Sequence, residues 1–234
     1  MCLLLSRSPA TPLDAHARLA YDWRMSDTGG GRFIAIEGGE GAGKSRLQAA
    51  LGEALQSAGR AVVTTREPGG TPLGEQIRAL VLAQRALETD IAELLLFEAA
   101  RAQLVATVIR PAIALGEVVI CDRFAASSVA YQGFGRGLGR GVVERANSIA
   151  TGGLVPDLTL LLDLPVEAGL ARRHGAGAAN HFDRETVAFH ERVRAGYHDL
   201  AHDAPDTWRV IDASQPFEAV LADALAAVRA ILGA

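Results

Sequence analysis

The chain has 234 residues, 49% of them hydrophobic and 21% charged, with a formal net charge of −4. This is enough apolar material for one sizeable core and excludes a disordered chain. The acidic balance argues against the broad basic face that nucleic-acid binders use, although a few arginines in one cleft can still hold phosphate. Two cysteines, Cys2 and Cys121, make neither a disulfide framework nor a zinc spacing and suit a reducing, cytoplasmic setting. No run approaches the roughly 18 apolar residues of a membrane span.

Residues 1–31 mix Ser, Pro, Thr and Arg without periodicity and end in Gly29-Gly30-Gly31, so we expect a mobile extension. Met25 is a candidate true start, and Leu3-Leu4-Leu5 is too short for a signal-peptide core. From residue 32 onward the sequence reads as a single domain. Apolar runs at 33–37, 61–65, 118–122, 158–163 and 209–212 alternate with helical stretches. Nearly continuous apolar runs suit strands covered on both faces. The expected fold is therefore α/β, a doubly wound parallel sheet of five strands, which binds ligands at its carboxyl edge. A helix is expected over 91–115, with Asp90 as its cap, Glu93 returning a capping-box contact and Pro111 interrupting its hydrogen bonding. Residues 172–184 are Gly/Ala-rich with cationic ends, as a lid is, and a last helix covers 217–232.

Gly38-Gly39-Glu40-Gly41-Ala42-Gly43-Lys44-Ser45 matches Gly-x4-Gly-Lys-Ser/Thr, after an apolar strand and at the opening of a helix. The glycines let backbone N–H groups turn toward a phosphate, and the helix N-terminus adds a favourable dipole. Lys44 would sit between the β- and γ-phosphates of ATP, and the Ser45 hydroxyl would ligate Mg²⁺. Asp122 ends the apolar strand 118–122, where an acid can hold the same Mg²⁺ or simply cap a turn. Arg123 follows it and would face the same cleft. The loop does not choose among kinase, GTPase and motor ATPase, but a guanine-reading Asn-Lys-x-Asp segment is missing and the length suits a compact kinase.

Further along, Thr65-Arg66-Glu67-Pro68-Gly69-Gly70-Thr71, Phe97-Glu98-Ala99-Ala100-Arg101, Asp122-Arg123-Phe124, Ser127-Ser128-Val129-Ala130-Tyr131-Gln132-Gly133, Pro156-Asp157-Leu158-Thr159 and Ile211-Asp212-Ala213 occur in one order. Together they resemble the bacterial thymidylate kinases over about residues 33–231. The resemblance implies P-loop kinase architecture with a short lid, transfer of phosphate from ATP to dTMP with Mg²⁺, and a homodimer. It also implies roles. Phe97 stacks on thymine and Arg101 offers its fork to the base, four residues apart on one helix face. Ser128 reads the pyrimidine edge, and Tyr131 packs on the sugar where a 2′-hydroxyl would clash. Arg66 and Arg123 take the acceptor phosphate, and Glu40 orients the acceptor through its sugar or a nearby cation. By composition alone, Phe97 after Leu94-Leu95-Leu96 reads as a core aromatic, and Tyr131 as a core tyrosine.

The sequence also departs from the family pattern. Some members carry an arginine in the phosphate loop, where this chain has Gly41, so a transition-state cation should come from the lid. There, Asn180-His181-Phe182-Asp183 stands where Asp-Arg-x-Glu is usual. Arg173, Arg172 or Arg184 could replace the missing arginine, and Arg172 or Arg173 could also stack on adenine. Phe124 replaces the usual Tyr or His. The alternatives are a kinase for another nucleoside monophosphate and a catalytically weak nucleotide-binding regulator. His198-Asp199-Leu200-Ala201-His202 resembles a zinc helix with Asp for Glu, but no third ligand is evident, and a solvated face is the plainer reading.

Overall fold

The structure is a computed structural model that describes residues 30–83, 89–174, 182 and 185–233. Residues 1–29 of the expected extension, Met25 among them, and residues 175–181, 183 and 184 of the expected lid, including Asn180, His181, Asp183 and Arg184, lie outside the described residues; Gly31, the last residue of the expected extension, is buried. β1 (Arg32–Gly38), β2 (Val62–Arg66), β3 (Val118–Asp122), β4 (Leu158–Asp163) and β5 (Trp208–Asp212) form one parallel sheet in the order β2-β3-β1-β4-β5. The intervening helices are α1 (Lys44–Ser57), α2 (Pro72–Leu82), α3 (Asp90–Leu104), α4 (Arg110–Ala114), α5 (Ala125–Ser128), α6 (Arg140–Thr151), α7 (Val166–His174), α8 (Val187–Asp203) and α9 (Phe217–Leu232).

Successive strand side chains point to opposite faces, and β1 shows why its apolar run is continuous. Ile34 and Ile36 join Leu47 and Leu51 of α1, Leu160 and Leu162 of β4, and Ala224 and Val228 of α9. Phe33 and Ala35 face the other way, into a cluster with Leu104, Ile109, Val119, Cys121 and Phe124. Each large side chain buried in these layers contributes about 1.5–3 kcal/mol. Glu37 shares the Phe33 face and has no exposed surface.

β1 is central. The chain leaves it for β2 and β3 on one side and reaches β4 and β5 on the other. At this reversal of winding, the carboxyl ends of β1 and β3 open a crevice of the kind in which open α/β sheets take ligands. Gly38 and Asp122 are the last residues of those strands.

The expected long helix differs in two ways. Its cap is Thr89, not Asp90: Thr89 is extended, and its hydroxyl accepts from the Ala92 N–H at 3.3 Å. Asp90 is instead a first-turn acid that complements the helix dipole. Glu93, one position past the capping-box register, is buried and accepts from Gln132 at 2.9 Å and from Arg136 at 3.3 Å. Before Pro111 the helix widens into a π turn, Val105–Ile109, in which the Arg110 N–H reaches the Val105 carbonyl. The interruption expected of a ring without an N–H therefore falls in the turn that precedes it.

Candidate active site

At the carboxyl end of β1 the chain turns through Gly38–Ser45 into α1. Gly43 caps α1 in the left-handed region (φ 94°), with no side-chain hydrogen bond. The first N–H groups of α1 are thus left for an anion, where the helix dipole also favours one. Ala42 turns into the core beside Leu47. Lys44 is buried, and its ammonium donates to the carbonyls of Gly38 at 3.0 Å and Gly39 at 2.7 Å, closing the loop on itself. Burial, then the charge of Arg123, pushes Lys44 down to about 8, against the pull of Asp122, Glu40 and Glu37. Ser45 Oγ donates to Asp122 Oδ2 at 2.6 Å, so the loop and the tip of β3 bring a hydroxyl and a carboxylate together.

Gly41 has φ 70°, and a Cβ there would run into the carbonyl oxygen of Gly169 on α7. A Cβ on Gly169 would in turn strike the carbonyl of Glu40. The phosphate loop and α7 therefore meet backbone to backbone, and no side chain fits at position 41.

Beside the loop, Arg123 is the non-glycine residue with positive φ (71°) among those described, a sparsely populated conformation of the kind that collects at functional sites. Its Nη2 donates to Glu40 Oε1 at 3.2 Å and to Tyr131 Oη at 3.0 Å. Tyr131 in turn donates to Glu40 Oε2 at 2.6 Å. Nη1 donates to Ser127 Oγ at 3.3 Å and Tyr197 Oη at 3.2 Å. Burial pushes Glu40 up, but His190, Arg123, Lys44 and Tyr131 together pull it down to about 2. Glu40 is thus paired with a cation, Arg123, at 3.2 Å.

From Arg123 an open cleft runs toward α3, lined by Phe97, Arg101, Ser128, Tyr131, Arg78 and Gln132 among others. Phe97 lies 6.2 Å from Phe182, ring centre to ring centre, and Tyr131 lies 5.7 Å from Phe182. Arg101 forms the floor and is only 1% exposed. It donates to Glu67 (2.8 Å), Glu98 (2.6 Å), Asn147 (2.6 Å) and Ser128 (3.0 Å). Its fork is thus engaged with the protein. Burial raises Glu67 to about 7 even beside Arg101, with Glu98 and Glu37 adding to the rise.

The remaining sequence candidates are elsewhere. Arg66 does not line this cleft; it is half exposed and paired with Glu75 at 3.0 Å. Arg172 donates to the Ala213 carbonyl at 3.0 Å, beside the Asp212-Ala213 turn. Arg173 is half-buried on the same helix, α7. Phe124 packs edge-on against Phe33 at 4.8 Å in the core. His198 sits 3.0 Å from Asp163, and His202 is almost fully exposed.

Sequence reasoning missed Glu37, Ser127, Tyr197, His190, Arg78 and Gln132. Glu37 did leave a signal, a carboxylate at the end of an apolar strand run. Tyr197 left none, because α8 is brought to β1 only by the fold.

With this geometry in place, the likeness to known proteins is specific. The thymidylate kinase family model matches residues 36–224. A thymidylate kinase of Thermomicrobium roseum is 54% identical over 194 residues, covering 82% of this chain and 91% of the relative. One from Desulfovibrio desulfuricans is 51% identical over 208 residues, covering 86% and 96%. A crystal structure of thymidylate kinase from Ehrlichia chaffeensis, 31% identical, superposes with a TM-score of 0.70 over 85% of this chain and 98% of that one. The matched span runs from the end of β1 into α9 and so contains the phosphate loop, the Asp122-Arg123 turn and the aromatic cleft: the chain belongs to the thymidylate kinase family.

Proposed function

We propose that the protein transfers the γ-phosphoryl group of ATP to dTMP, giving ADP and dTDP. The observation that carries this reading is the junction at Arg123. Glu40, inside the phosphate loop, holds the arginine that opens into the aromatic cleft, so donor and acceptor sites share one cation. ATP phosphates lie on the N–H groups of Gly38–Ser45, and their negative charge favours the ammonium form of Lys44, opposing the downward push of burial and Arg123. An oxygen of the dTMP phosphate attacks the γ-phosphorus, and the bond to the β-phosphate oxygen of departing ADP breaks. The acceptor is already ionised, so positioning and charge stabilisation carry the catalysis. Ser45 and Asp122 offer hard oxygen donors of the type Mg²⁺ takes; bound there, Mg²⁺ supplies charge neutralisation for the β- and γ-phosphates.

Arg123 grips the acceptor phosphate. Arg66 joins it from the rim, where its exposed pair with Glu75 exchanges readily. Phe97, Arg101 and Ser128 frame the base, and Tyr131 packs on the deoxyribose. Arg172, near the Ala213 turn, covers adenine, and Arg173 supplies the cation that Gly41 does not. Residues 32–234 form one kinase domain behind the extension, with a lid at about 172–184. Two copies pair through α2 and α3, which pack together and leave Leu73, Leu80, Ile91 and Leu95 exposed. Cys121 is a free, buried thiol, as suits the cytoplasm, and no helix of the described residues is long and apolar enough to cross a membrane.

The test is ADP release with ATP, Mg²⁺ and a panel of nucleoside monophosphates. The expected result is turnover led by dTMP and abolished in Lys44→Ala. Turnover led by another monophosphate would discard the base pocket. ATP binding without turnover would discard the kinase reading.

A further inference from the structure

Glu37 is a charged residue with no exposed surface, on a strand face otherwise given to Phe33 and Ala35. Its carboxylate touches Arg123 only through intermediaries. Oε1 accepts from the Phe124 N–H at 2.8 Å. Oε2 accepts from Ser127 Oγ at 2.6 Å and from Tyr197 Oη at 2.9 Å. Those two hydroxyl oxygens are the acceptors of Arg123 Nη1. They also lie 2.9 Å from each other, so the direction of their protons is a real choice. A hydroxyl carries one proton and two lone pairs. Each oxygen can accept from Arg123 in this geometry because its own proton goes to Glu37.

The other half of the guanidinium repeats the pattern. Nη2 donates to Tyr131, whose proton goes to Glu40. Arg123 is therefore clasped from two sides, by Glu37 at the end of β1 through the hydroxyls of Ser127 and Tyr197, and by Glu40 in the phosphate loop both directly and through Tyr131. Such a clasp also explains how a non-glycine residue is kept at φ 71°.

We propose that Glu37 is a positioning residue for phosphoryl transfer: as a carboxylate that only accepts, it takes the protons of Ser127 and Tyr197 and so makes both oxygens acceptors for Arg123. This rests on the reading that Arg123 takes the acceptor phosphate. Glu37 meets neither substrate. Its effect is to fix the plane in which Arg123 meets the dianion.

Glu37→Gln keeps the shape and reverses the logic. The Phe124 N–H can only donate, so the amide oxygen stays with it and the amide NH₂ faces Ser127 and Tyr197. At least one hydroxyl must then turn its proton toward Nη1. The expected result is a folded protein with unchanged ATP binding, a loss of roughly 100-fold in kcat/KM for dTMP, and Arg123 turned away from Ser127 and Tyr197 in a crystal structure of the variant. Wild-type dTMP kinetics with Arg123 unmoved would overturn the proposal. So would an equal loss for ATP and dTMP, which marks a merely structural role.

A coupling test separates the hydroxyls from the carboxylate. In a Ser127→Ala/Tyr197→Phe background there are no protons to direct, so adding Glu37→Gln should cost little more, and an additive loss would overturn the proposal. If Glu37→Gln does not fold, Tyr197→Phe alone should raise the KM for dTMP and spare that for ATP; an unaltered dTMP KM would overturn it. Arg123→Ala is measured in parallel. If it leaves dTMP binding intact, the reading of Arg123 fails, while the crystal position of Arg123 in Glu37→Gln still decides whether Glu37 orients it.

Discussion

Arg101 carries a full charge at the floor of the cleft, and two carboxyl groups, Glu67 and Glu98, share it. Removing one member of a buried ion pair leaves the other charge unpaired, at a cost of about 3–5 kcal/mol. Arg101→Ala should therefore lower stability by about that much, as well as weaken dTMP binding. Glu67 stands near 7 even with its partner present. Without Arg101 it rises further, so protonation relieves part of the loss, and denaturant melts should show a larger deficit at about pH 8 than at about pH 6. Glu40 has the opposite sign. Its carboxyl stands at about 2, below the ordinary 4.5, so it contributes stability above about 4.5 that is lost as pH falls toward 2. The difference corresponds to about 3 kcal/mol at most. Glu40→Gln should be less stable than the parent at neutral pH, with the gap closing in acid; a gap that persists there would show that the carboxylate's charge is not the source. The phosphate loop was legible at this scale because its parts are consecutive. The contacts of Arg101 with Glu67, 34 residues away, and Asn147, 46 away, were not, because only the fold sets them side by side.

At the scale of elements, continuous apolar runs marked the three central strands, β3, β1 and β4, because these are covered on both faces, whereas the edge strands β2 and β5 bury little of their length. Local chemistry misled at the start of α3. Asp90 and Glu93 have capping-box spacing, but Thr89 is the residue in the extended cap conformation, and Glu93 is drawn instead to Gln132 and Arg136. Pro111 correctly marked a break, and the π turn that absorbs it could not be read from the sequence. The contact between the phosphate loop and α7 also required the structure. Gly169→Ala keeps a good helix former in α7 but places a methyl against the Glu40 carbonyl. It should lower both ATP affinity and melting temperature. Wild-type values for both would mean that loop and helix can separate freely.

For the molecule as a whole, the strand order places everything. β1 lies between β3 and β4, so the loop it carries borders Asp122 and Arg123 on one side and α7 on the other. The exposed apolar residues of α2 and α3 belong to this scale too. Ile91 and Leu95 are one turn apart on α3, and Leu95 is more than half exposed. If two copies pair through this face, as proposed, Leu95→Glu should halve the mass found by light scattering while leaving the circular dichroism spectrum unchanged; an unchanged mass would overturn that pairing.

The meeting of Gly41 and Gly169 also sets a rule for how such a sequence can drift. Neither glycine can change alone, because each is the floor on which the other's backbone rests. An arginine placed at 41 in this backbone would have to push α7 back before it could reach a phosphate. Two positions 128 apart in the chain thus answer to one spacing, that between the loop and the helix.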